Sequence, residues 1–205
     1  MAHIPDGLLS APVLTGGALV TSVAVALALR GAREADIVRA AVLASVFFAA
    51  SLVAIPVGPS SVHLMFSGLM GLMLGWMAVP AVLAALILQL VLFGFGGITT
   101  LGVNAANIAL PGVLVGLALR GPVARLAPGR AAVVAAVGAA FATLATGGLV
   151  AADLALSASD FVPAARVLAV TYLPLALVEA VVCGAAVAYL RRARPEVWQA
   201  AEQAV

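Results

Sequence analysis

From Val62 to Phe95 the chain carries no aspartate, glutamate, lysine or arginine, and its polar side chains are few: His63, Ser67 and Gln89. A stretch so apolar does not suit the wet surface of a soluble domain, and its length suits hydrocarbon. Drawn as one helix at about 1.5 Å per residue, it overshoots a hydrocarbon layer of about 30 Å by roughly 20 Å. It must therefore turn back, and Pro80 marks the expected place.

The remainder repeats this character, since 65% of the 205 residues are hydrophobic and 9% are charged, far from the balance of a soluble domain. Apolar runs and their breakers give seven expected spans: Ala11 to Leu29, Ala40 to Val57, Val62 to Met77, Val79 to Phe95, Ala105 to Leu119, Ala131 to Ala152 and Leu168 to Leu190. Proline and glycine clusters at Pro56 to Ser60, Gly94 to Gly102 and Pro128-Gly129 mark turns. The expected fold class is all-α: a polytopic membrane protein, with residues 1–205 forming a single bundle of about seven transmembrane helices. Cys183 is the single cysteine, so no internal disulfide can form, and it reads as a packing residue.

There is no lysine, and the ten basic residues are all arginine. With seven spans, Arg30, Arg33, Arg39, Arg120, Arg125, Arg130, Arg191, Arg192 and Arg194 all fall on one side. That side is expected to be the cytoplasm. The N-terminus is then outside and the C-terminus inside. Residues 191–205 are expected to form a short amphipathic cytoplasmic tail anchored at the interface by Trp198. Arg166 is the exception, on an expected outer loop from Asp153 to Arg166 that also carries Asp160.

Both histidines of the chain, His3 and His63, fall on the outer side in this scheme, as halves of one metal site. The first nine residues contain no arginine or lysine and include Pro5 and Asp6. No cleavable leader is therefore expected, and a free amine should stand close to His3. With Met1 retained, its amine, the backbone nitrogens of Ala2 and His3, and the His3 imidazole can close three fused chelate rings. With Met1 removed, the amine of Ala2, the amide of His3 and its imidazole leave a fourth position that His63 can fill. Four nitrogens in a square suit Ni(II) or Cu(II). Met65, Met70 and Met73 have the spacing of ordinary helix packing.

Asp6 and Asn104 are candidate supporting groups around these ligands, although Asp6 is expected first of all to cap the first helix. The segment Gly94 to Asn107 reads as a glycine-rich loop, a lid or a support that fixes His63. Glu179 is the only carboxylate deep in an expected span, and a structural hydrogen bond is its expected role. Gln89 should bond between helices.

Three segments together carry a family resemblance: Met1-Ala2-His3-Ile4-Pro5-Asp6-Gly7-Leu8-Leu9-Ser10; Ser61-Val62-His63-Leu64 with Gly68 and Gly71; and Gly96-Gly97-Ile98-Thr99-Thr100-Leu101-Gly102-Val103-Asn104. In this order the chain resembles the NikM/CbiM family, the substrate-binding membrane subunits (S components) of energy-coupling-factor importers for nickel and cobalt. The likeness is close over the first half and confined to the pattern of spans over the second. It implies a seven-helix subunit of the bacterial cell membrane whose N-terminus folds back into the bundle. Residues 1–10 would bind Ni(II) or Co(II) as the transported substrate. The implied ligands are the amine of Met1 or Ala2, the amide and imidazole of His3, and His63. The family typically begins Met-His, and Ala2 stands between those residues here. Implied partners are a transmembrane coupling subunit, a pair of cytoplasmic ATPases and, in many members, a small accessory membrane protein.

A phosphate-binding loop of the G-x-x-x-x-G-K-[ST] kind needs a lysine, which this chain lacks, so it is not expected to be its own ATPase of that type. The same lack removes a retinal Schiff base, and no H-E-x-x-H pair is present for a metalloenzyme. The chain is expected to be no enzyme. A capture subunit of an ATP-driven importer is the leading reading, with a stand-alone metal permease or channel as the alternative.

Overall fold

A computed structural model describes residues 3–53, 55–57 and 60–198. Seven α-helices account for most of them: α1 (Ala11–Arg30), α2 (Glu34–Ser51), α3 (Ser67–Leu74), α4 (Ala78–Phe93), α5 (Leu101–Arg125), α6 (Pro128–Ser157) and α7 (Val162–Ala193). Five apolar stretches, Ala11–Arg30, Ser67–Phe93, Leu101–Arg125, Pro128–Ser157 and Ser159–Ala193, are long enough to cross a membrane. The chain is a multi-pass membrane protein.

Ser67–Phe93 does not cross as one rod. Gly75 takes φ 57° and ψ −129°, a conformation essentially reserved for glycine, and a 3-10 turn over Gly75–Met77 reverses the chain. Both ends of the resulting hairpin return to His3: His63 on the approach to α3, and Gly96 beyond α4. The expected reversal is therefore real, but it lies at Gly75–Met77. Pro80 sits in the first turn of α4, where its missing N–H is one the helix would leave unpaired anyway.

Other boundaries also shift. The second span ends at Ser51, and Ile55–Val57 (β1) pairs antiparallel with Ser60–Val62 (β2) in the register Ile55 to Val62. The turn expected at Gly58-Pro59 lies outside the described residues. The loop expected over Gly94 to Asn107 stops at Thr100, because α5 begins at Leu101. Asp153, expected in a loop, lies in α6, and Arg166 lies in α7.

Two ends of the bundle can be distinguished. His3, the β-hairpin and the loop after α4 share one. At the other lie the end of α1, the start of α2, the Gly75–Met77 turn and the end of α5. Arg191, near the end of α7, donates to the Leu126 carbonyl at 2.7 Å there. The nine arginines grouped by sequence thus gather at one end.

Helix α5 is the central post, in contact with α1, α3, α4 and α6. Its contact with α3 is backbone against backbone: a Cβ on Gly71 would overlap the Gly112 carbonyl, and one on Gly112 would overlap Ser67. Trp198, expected as an interfacial anchor, is instead 1% exposed and packs with Val123, Val187 and Cys183. Residues 199–205 of the expected tail lie outside the described residues. Gly112→Val should prise α3 from α5 and destabilise the protein by about 3 kcal/mol or more, read as a lower melting temperature in detergent. Gly148→Ala, which meets open space, should be neutral or slightly stabilising.

Candidate metal centre

His3 and His63 stand sixty residues apart in the chain and meet inside the protein, 6% and 5% exposed. Their Nε2 atoms are 3.1 Å apart, and the rings stack at 5.0 Å between centroids and 29° between planes. His63 Nδ1 lies 3.1 Å from the Leu64 carbonyl oxygen. That oxygen can only accept, so Nδ1 carries the proton and Nε2 presents a lone pair. The facing His3 Nε2 must then be the donor, which leaves the lone pair of His3 on Nδ1. That atom is buried and has no hydrogen-bond partner among the described residues. The pair thus holds one lone pair shared through a proton and one left open.

Burial keeps both rings neutral. It pushes His3 from 6.5 down to about 3, with His63 adding to the shift, and it lowers His63 as well. Neutral imidazoles are the form that binds a transition metal.

The segment around His3 is extended, so its backbone polar groups need partners. Asn104, 3% exposed on the first turns of α5, supplies both for Ile4. Its Oδ1 accepts from the Ile4 N–H at 3.0 Å, and its Nδ2 donates to the Ile4 carbonyl at 3.0 Å. The Thr100 hydroxyl donates to the same carbonyl at 2.7 Å. Further along, the Ser10 N–H donates to Ser157 Oγ at 3.0 Å.

Asp6 does not cap α1, whose Ser10 N-cap has no side-chain bond. Its carboxylate instead accepts from the Ile98 N–H (3.0 Å), the Thr99 N–H (2.9 Å) and the Thr99 hydroxyl (2.5 Å). The Thr99 hydroxyl foremost holds that carboxyl below its usual range. A Cβ on Gly97 would overlap the Asp6 carboxylate, which explains a glycine there. Gly96 turns at φ 82°.

His63 is positioned from the other side of the bundle. Glu179 of α7, 1% exposed, accepts from the Met65 N–H and from the Phe66 N–H at 3.0 Å. Phe66 stands in the left-handed region at φ 52°. The structural role expected of Glu179 is therefore observed, and it fixes the link between His63 and α3. Phe47 of α2 lies at 6.3 Å, ring centre to ring centre, from His63. Gln89 bonds between helices as expected, donating to Ser51 Oγ at 2.8 Å. Asn107 donates to Asp153 at 2.6 Å. Met65 and Met70 are core residues. The amines of Met1 and Ala2 lie outside the described residues.

Among the described residues no third His, Cys, Asp or Glu side chain joins the two histidines. Sequence reasoning assigns no role to Thr99 or Thr100. The Gly-Gly-Ile-Thr-Thr run was the available signal, since glycines flanking hydroxyl residues suit a turn that clasps an anion such as Asp6.

A multi-pass helical bundle that closes around two facing neutral imidazoles has the class features of a membrane component handling a transition metal. The family model described as "Cobalt uptake substrate-specific transmembrane region" matches residues 3–197. A putative metal transport protein of Haemophilus influenzae is 41% identical over 112 residues, 55% of this chain and 54% of that one. The cobalt transport protein CbiM of Sorangium cellulosum is 33% identical over 168 residues, 76% of this chain and 73% of that one. The fused nickel transport protein NikMN of Rhodobacter capsulatus is 36% identical over 57% of this chain and 35% of its own length. The chain thus spans about half the first relative and about a third of the last. The crystal structure of a truncated transition metal transporter superposes with a TM-score of 0.76 at 26% identity, over 92% of this chain and 97% of that one. The chain belongs to the NikM/CbiM family of substrate-binding membrane subunits.

Asn104→Ala should leave the buried Ile4 N–H unpaired, its carbonyl keeping the Thr100 hydroxyl, and cost about 1–3 kcal/mol, visible as a lower melting temperature. The metal-free protein should also lose stability as pH falls below 6.5, because the unfolded chain then binds protons that native His3 refuses. Between pH 6.5 and 5 the loss is on the order of 2 kcal/mol, and His3→Gln should flatten the thermal-melt profile over that window.

Proposed function

We propose that this chain captures Ni(II) or Co(II) at the outer face of the bacterial cell membrane, as the substrate-specific subunit of an ATP-driven importer of the energy-coupling-factor type. The observation that carries this reading is the 3.1 Å approach of His3 Nε2 to His63 Nε2. That approach brings both rings to one point, so an ion held by His3 would lie within reach of His63 Nε2.

The remaining donors follow from the chemistry of the segment. His3 Nδ1 can close a six-membered chelate with its own backbone nitrogen, and the amine of Met1 or Ala2 extends the chelate. His63 supplies the last nitrogen. Because chelation uses Nδ1 and His63 faces Nε2, loading entails breaking the bond between the rings and turning one of them. The relatives named for cobalt and nickel transport support this substrate class.

The arginine-rich end of the bundle reads as cytoplasmic, which sets His3 outside. We assign no catalytic step to this chain. ATP hydrolysis would belong to a pair of cytoplasmic ATPases, reached through a transmembrane coupling subunit, with a small accessory membrane protein as a further partner.

Purified in detergent and offered Ni(II) and Co(II) in competition, the chain should bind one ion. His3→Ala and His63→Ala should each lower affinity at least a hundredfold, whereas Cys183→Ala and Met65→Leu should not. Acetylation of the amine, verified by intact mass, should also abolish binding. Unchanged affinity in either histidine variant would refute the site. Uptake by cells lacking any ATPase partner would favour a stand-alone permease.

A further inference from the structure

The end of the bundle opposite His3 holds a cavity of about 430 Å³ lined by neither His3 nor His63. The end of α1, the start of α2, the Gly75–Met77 turn and the end of α5 enclose it. Arg39 and Arg120 stand on its wall with one carboxylate, Asp36. That carboxylate is engaged: it accepts from Arg33 Nε at 3.1 Å and from the Arg33 N–H at 3.2 Å. Arg120 Nε is buried and has no hydrogen-bond partner among the described residues. A desolvated guanidinium N–H beside surplus positive charge is matched by an anionic acceptor.

The apolar part of the wall decides which anion. Leu27, Trp76 and Leu117 line the cavity and are also 47%, 38% and 61% exposed, so they carry it out to the apolar exterior of the bundle. An occupant with a charged head and an apolar tail is complementary to both parts, and a free anion only to the first. Phosphate oxygens suit arginine forks, and basic pockets between helix ends are suited to lipid headgroups. We propose that this cavity seats the phosphate of an anionic phospholipid, its head against Arg39 and Arg120 and an acyl chain along Leu27 and Leu117. The lipid would pin α1, α2 and α5 to the Gly75–Met77 turn. The proposal is independent of the metal site.

The test is native mass spectrometry of the full chain, delipidated and then supplied with equimolar phosphatidylglycerol and phosphatidylcholine. One phosphatidylglycerol should be retained in preference. The double variant Arg39→Gln/Arg120→Gln should lower the bound fraction about tenfold, and Arg192→Gln, outside the cavity, should leave it unchanged. Arg39→Gln alone should give an intermediate loss, so the test survives if the double variant fails to fold. Equal retention of phosphatidylcholine, or undiminished phosphatidylglycerol in the folded variants, would overturn the proposal. Inorganic phosphate raising the melting temperature as much as phosphatidylglycerol would overturn the lipid assignment in favour of a soluble anion.

Discussion

An extended segment inside an apolar bundle exposes backbone N–H and C=O groups that neither hydrocarbon nor neighbouring leucines can satisfy. This constraint governs the candidate centre. Ile4 meets it through Asn104, which pairs with both of its backbone groups and so acts like one rung of a sheet presented by a helix. Asp6 serves as the second fastening, reversed in sense: the segment offers the carboxylate, and the turn before α5 offers the donors. On the His63 side, Glu179 meets the same need for Met65 and Phe66. The two histidines face each other because two non-helical strands of chain have been paid their hydrogen bonds.

Helix α5 couples these fastenings. Its first turn and the residue before it hold the His3 segment through Thr100 and Asn104, and its middle receives α3 through Gly112 and Gly116. The Ser67 hydroxyl adds a 2.6 Å bond to the Ile108 carbonyl. One rigid element thus sets both sides of the pair, which suits a site whose ligands must converge to within a few tenths of an ångström. Neutral, buried imidazoles then remain available over the whole neutral range.

Much of the fold was legible because a membrane allows few choices. Apolar runs, arginine positions and the 20-residue requirement yielded the alternation of helices, and His3 and His63 were conspicuous because the chain has no other histidine. What escaped the sequence was local. Proline at 80 is a generic breaker, whereas the reversal depends on the φ of Gly75, which no pattern encodes. Asp6 precedes a helix and so looked like its cap, but its partners are more than ninety residues away. Trp198 follows an arginine cluster, which resembles an interfacial anchor, yet a pocket between α5, α6 and α7 buries it. Long-range contacts of single polar residues leave no periodicity to read.

If the proposed site is right, His3 and His63 bind one ion together. X-ray absorption at the metal edge of the nickel-loaded protein tests it most directly. The spectrum should show a first shell of nitrogen or oxygen only, with outer-shell scattering from two imidazoles that falls to one in His63→Ala protein saturated with nickel. A sulfur scatterer from Cys183 or a methionine, or a spectrum with a single imidazole in the intact chain, would contradict it.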